Sequence, residues 1–125
     1  MYQPKLEKDI RCPLEYGLEI FGGKWKSRVI CVLSQKGVVR YGALRREMSN
    51  ITDPVLSATL KELQEYGMIR REQYDEIPPR VEYSLTERGE SVLPILHSIC
   101  VWAGAVRSEE GGESIPHCRA CNHRD

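Results

Sequence analysis

The sequence predicts a mainly α-helical domain with one small β-hairpin, and three observations carry that expectation. Apolar residues recur at helical spacing in four successive segments before residue 67. The period then shortens to the alternation of strands around a tip containing two prolines. Last, 125 residues with 41% hydrophobic and 29% charged side chains suffice for one core and are too few for two domains facing a cleft.

The first helix is expected to open at Pro13, whose fixed φ suits a first turn, and to run through Leu14, Leu18 and Phe21 to Gly22 and Gly23. Trp25, Val29, Ile30 and Leu33 mark a second helix from Lys24 to Gln35, closed at Gly37. Tyr41 to Met48 forms a short third one. The run Ile51-Thr52-Asp53-Pro54 supplies a cap and a first-turn proline for a fourth, whose Leu56, Leu60 and Leu63 face inward until Tyr66 and Gly67. Met68 to Tyr74 and Arg80 to Leu85 read as the two strands. Thr86 caps a last helix that Pro94 should kink; its apolar residues, from Val92 to Val106, exceed what one neighbour can cover and point to a second chain. Residues 1–107 are therefore read as the folded unit and 108–125 as a flexible tail bearing Cys and His.

Net charge is zero, yet it is segregated. Residues 24–61 hold eight basic side chains against Glu47 and Asp53, whereas 62–90 hold four basic and eight acidic. Charge alone allows either a solvated surface or a phosphate-facing patch. The element order, with a leucine-backed fourth helix followed by a hairpin, is that of a winged helix-turn-helix, and it favours the second reading. Lys26, Tyr41, Arg45 and Arg46 are then candidates for the DNA backbone. Pro54, Val55, Ser57, Ala58, Thr59 and Lys61 flank the leucine stripe as candidates for base edges and nearby phosphates. Arg80 is a candidate wing contact or, equally, a partner of Glu82 or Glu76.

Cys12-Pro13, Gly22-Gly23-Lys24-Trp25, Tyr41-Gly42-Ala43-Leu44-Arg45, Tyr66-Gly67-Met68-Ile69-Arg70-Arg71, Pro78 to Thr86 with Gly89, and Cys100 to Trp102 resemble, in register over residues 12–104, the HxlR-type winged helix-turn-helix regulators of bacteria, within the broader MarR-like group. The resemblance implies a cytoplasmic, homodimeric double-stranded-DNA binder that pairs through its first and last helices on an inverted repeat. It also implies a regulator, here read as a repressor, that often answers electrophiles or thiol oxidants. The chain departs from the commoner pattern at Tyr41, where phenylalanine is frequent, at Asp53-Pro54, and in its tail.

Cys12 lies at the positive end of the first helix with Lys8 and Arg11 nearby, a setting that activates thiols; read alone it is also a plausible cap. The resemblance favours sensing at this position. Cys100 is either a packing residue or a disulfide partner for Cys12 of the partner subunit, and Cys31 reads as a core thiol. The alternative is a regulator with an effector pocket at the dimer interface and no thiol chemistry. No cofactor is expected for the folded unit. In the tail, His117, Cys118, Cys121 and His123 have ligand types and spacing suited to zinc, against a redox pair or an unstructured end. The sequence lacks a nucleophile-base-orienter set, a glycine-rich phosphate loop and a paired-carboxylate motif, so no enzyme is expected. The longest uninterrupted apolar run is Val29 to Leu33, so no membrane span is expected either.

Overall fold

The computed structural model describes residues 9–112. The chain forms α1 (Pro13–Phe21), α2 (Lys24–Lys36), β1 (Val39–Arg40), α3 (Tyr41–Met48), α4 (Asp53–Glu65), β2 (Ile69–Tyr74), β3 (Arg80–Leu85), α5 (Glu87–Ser91) and α6 (Leu93–Glu109). All four early helices and both long strands fall within a residue or two of the expected bounds. The tail residues His117, Cys118, Cys121 and His123 lie outside the described residues, so the zinc expectation does as well.

The core sits where α2, α3 and α4 meet the sheet. Val29, Ile30, Leu33, Leu44, Met48, Leu56, Leu60 and Leu63 are shielded from solvent and pack with Ile69, Tyr83, Val92 and Leu96. Each such side chain contributes roughly 1.5–3 kcal/mol on burial. Helix α4 starts on Thr52, whose hydroxyl accepts from the Val55 amide, and ends at Gly67 in the left-handed region, φ 79°. The amides of Gly67 and Met68 there return to the carbonyls of Gln64 and Leu63.

The hairpin pairs Ile69 with Leu85 through Tyr74 with Arg80, both antiparallel. The β3 edge of the hairpin gains a third strand that sequence periodicity does not predict: β1 pairs Val39 with Tyr83 and Arg40 with Glu82, giving the order β1-β3-β2. Gly89 is needed because a Cβ there would collide with the Met68 carbonyl oxygen. The last helix is interrupted rather than bent: α5 stops at Ser91 and Pro94 falls in the first turn of α6, where its missing N–H costs nothing. Helices α5 and α6 together make up the helical stretch Glu87–Glu109. By length and composition alone it is apolar enough to cross a membrane, with mean hydropathy 1.3 over 18 residues. Gly89, Val92 and Leu96 anchor it to the domain.

Candidate nucleic-acid interface

Helices α3 and α4 form a helix-turn-helix joined through Ser49, Asn50, Ile51 and Thr52, with Ser49 at φ 61°. Leu44 and Met48 on α3 and Leu56, Leu60 and Leu63 on α4 point inward, which turns Pro54, Val55, Ser57, Ala58 and Lys61 outward, all exposed. Apart from Lys61, these side chains are short enough for a helix to approach base edges closely. Thr59 is a correction. It is 8% exposed and its hydroxyl donates back to the Val55 carbonyl at 2.8 Å, so it belongs to the buried stripe. The spacing 56, 59, 60, 63 was the signal for this.

At the start of α4 the Asp53 carboxylate gathers two neighbours from α3. The Tyr41 hydroxyl donates to Oδ1 at 2.9 Å and Arg45 Nε lies 2.9 Å from the same oxygen. The tie of Asp53 to Arg45 and Tyr41 needs the turn that brings α3 and α4 together, so no local pattern in the sequence shows it. Burial, foremost, and the Asp53 carboxylate push the Tyr41 phenol above its ordinary value, against an opposing pull from its hydrogen bond with Ser57 and from the Arg45 charge. Tyr41, Arg45, Arg46 and Asp53 border a shared cleft of about 600 Å³. Arg46 and Lys61 are exposed and, among the described residues, have no acidic partner.

Lys26 is the second correction. Its Nζ donates to the Glu19 carbonyl at 2.6 Å, pairs with Glu62 at 2.9 Å and lies 5.4 Å from the Tyr66 ring centre. The ammonium thus ties α1, α2 and the end of α4 together and is not offered to phosphate. Arg80 takes the pairing role: Glu76 and Glu82 lie 3.2 and 3.4 Å from its guanidinium, which stacks 4.1 Å from the Tyr74 ring centre. The hairpin tip is left acidic and apolar, with Ile77 fully exposed. Glu72, then burial and Glu82, hold the Tyr74 hydroxyl above its ordinary range.

The thiols separate. Cys12 is exposed at the N-cap of α1 with no side-chain capping bond, and Arg11 beside it is paired with Glu15 at 3.4 Å. Cys31 and Cys100 are half-buried and together line a cavity between α1, α2 and α6 that Cys12 does not reach. Among the described residues no three His, Cys, Asp or Glu side chains come together as a metal site.

The model of the HxlR-like helix-turn-helix family matches residues 20–110. The chain belongs to that family. An uncharacterized HTH-type transcriptional regulator of Methanothermobacter thermautotrophicus is 46% identical over 107 residues, 84% of this chain and 81% of the relative. Among solved structures, the redox regulator HypR in its reduced form is 38% identical with TM-score 0.71, covering 77% of this chain and 94% of that one. Reduced YodB, a transcriptional regulator from Bacillus subtilis, is 28% identical with TM-score 0.71, covering 83% and 100%. This HxlR-family chain is a transcriptional regulator with a helix-turn-helix DNA-binding domain.

Proposed function

We propose that the protein acts in the cytoplasm as a homodimeric repressor on an inverted-repeat operator, with Cys12 making DNA occupancy responsive to electrophiles or oxidants. The observation that carries the dimer is the apolar surface left on the first and last helices. Leu14, Leu18, Ile95, Ile99, Val101 and Trp102 are 69, 49, 51, 44, 58 and 69% exposed. A patch of this kind marks an interaction surface. A two-fold pairing through it would present two recognition helices to successive major grooves, about 34–36 Å apart. Repression requires only occupancy, whereas activation needs a further surface for polymerase. Support for Cys12 is its exposure and its place at the positive end of α1, together with the similarity to HypR, itself a redox regulator.

Footprinting on the DNA upstream of the protein's own coding sequence tests this reading. Reduced protein is expected to protect two half-sites one duplex turn apart, and treatment with diamide to abolish protection in wild type but not in Cys12→Ser. Protection of a single half-site with a monomer in sedimentation removes the dimer. Equal diamide responses in the two proteins remove thiol sensing.

A further inference from the structure

Asp53 opens α4 but does not cap it. Thr52 holds that place, with its hydroxyl accepting from the Val55 amide at 3.4 Å. The Asp53 carboxylate is engaged from α3 instead, and one oxygen takes both contacts: Oδ1 accepts from the Tyr41 hydroxyl at 2.9 Å and lies 2.9 Å from Arg45 Nε. Behind it, Ser57, one turn further along α4, hydrogen-bonds the Tyr41 hydroxyl. Side chains of both helices thus fix the orientation of one carboxylate. Among the described residues, its second oxygen, Oδ2, accepts from no donor. The side chain is 62% exposed, and Pro54 and Ser57 are exposed beside it.

A carboxylate brought against a duplex is repelled by phosphate, and here the Arg45 charge offsets that repulsion at close range. Contact with DNA becomes favourable where a donor meets the second oxygen. In the major groove the base donors are amino groups, N4 of cytosine and N6 of adenine. Adenine sets its N7 acceptor beside the amino group, where it opposes a carboxylate; cytosine carries no acceptor on its own groove edge. We propose that Asp53, held by Tyr41 and Arg45, reads the amino group of a cytosine through Oδ2. Asp53 is then a specificity-determining residue, and Tyr41 a positioning residue that acts through it. This role rests on the sequence-specific DNA binding proposed above, with α4 in the major groove, and adds the base that the first turn of α4 selects.

The test selects duplexes from a library with about 30 random base pairs, room for two half-sites one duplex turn apart, using the reduced full chain. Wild type is expected to enrich a motif with one cytosine per half-site that Asp53→Asn no longer requires, the other positions being unchanged. On the selected duplex, exchanging that C·G pair for T·A should weaken wild type about tenfold per half-site, the factor about 1.4 kcal/mol represents, and leave Asp53→Asn nearly indifferent. Tyr41→Phe should lose part of the preference at that position alone, whereas a merely structural role would weaken binding to all sequences alike. Wild type alone supplies an independent reading: 2-pyrimidinone in place of the cytosine, which removes only the amino group, should cost a similar factor. Identical motifs from wild type and Asp53→Asn overturn the proposal while leaving sequence-specific DNA binding standing, as does full affinity for the pyrimidinone duplex. If wild type enriches no motif at all, the DNA-binding reading fails and this role fails with it.

Discussion

Asp53→Asn isolates the electrostatic role of the acid in the first turn of α4. In the free protein Asp53 Oδ1 holds Arg45 Nε at 2.9 Å and accepts from the Tyr41 hydroxyl at 2.9 Å, with the Arg45 and Asp53 side chains 47 and 62% exposed. At that exposure the pair is worth only about 0–1 kcal/mol, and the favourable position of an acid in a first helical turn adds about 0.3–1 kcal/mol. The substitution should therefore cost stability by about 1 kcal/mol, a Tm fall of roughly 4–8 °C for a domain near 100 residues. Its effect on DNA has the opposite sign. Asparagine repels no phosphate and leaves the guanidinium uncompensated, so each chain gains about one phosphate contact and about 0.9 in the slope of log K against log salt. Between 50 and 200 mM salt, a fourfold range, one such contact changes affinity by about 3.5-fold, and two in a dimer by about 12-fold. Fluorescence anisotropy on operator and scrambled duplexes across that range reads both effects. The variant should bind scrambled DNA more tightly at low salt and discriminate less, and Arg45→Ala in the same background should cancel the added slope. An unchanged or flatter slope in Asp53→Asn refutes the reasoning, since it would mean that Asp53 poises Arg45 for DNA or that neither residue meets the backbone.

Lys26→Met should lower stability in urea by about 1.5–3 kcal/mol, the worth of hydrogen bonds to a charged group, while leaving the salt slope of DNA binding untouched; a slope reduced by about one per chain would restore Lys26 to the phosphates. Tyr41→Phe should blunt alkaline destabilisation. The folded protein holds the Tyr41 proton more tightly than the unfolded chain, so the stabilisation is complete below the ordinary value of 10.0 and is lost as pH rises through the higher folded value. Urea midpoints of wild type and variant that fall in parallel above about pH 10 would contradict this. Arg46→Ala and Lys61→Ala should each flatten the salt slope by about 0.9 per chain, and an unaltered slope in both would displace them from the interface.

The helices were legible because each carries its signals locally: Pro13 at a first turn, Gly37 at an end, Thr52 before Asp53-Pro54, and leucines one turn apart. Strand β1 was not, since two residues have no period and Val39 is a strand only because Tyr83 lies opposite. The same division runs through the DNA-facing residues. Exposure of Val55, Ser57, Ala58 and Lys61 follows from the leucine stripe alone, and Thr59 could have been assigned to that stripe by its spacing. The fate of Lys26 depends on Glu19 and Glu62, which lie on two other helices, and no local pattern announces it. Arg80 was legible as two alternatives, and the proximity of Glu76 and Glu82 decides between them.

Those pairings also change what the charge of the basic segment means. Of its eight cations, Lys26, Lys36 and Arg45 are answered by Glu62, Glu47 and Asp53. Lys24 and Arg28 have no acidic partner among the described residues and line the cavity against α1 and α6. Among the described residues, Arg40, Arg46 and Lys61 are left as exposed cations with no acidic partner, on or next to α3 and α4. Three uncompensated cations attract a duplex more weakly than eight would, and phosphate contacts carry no sequence information. With α4 in the major groove, a larger share of discrimination therefore falls to its short outward side chains. An acid that neutralises Arg45 at the tip of that helix works in the same direction, because it lowers attraction to any duplex while leaving contacts to the preferred one intact.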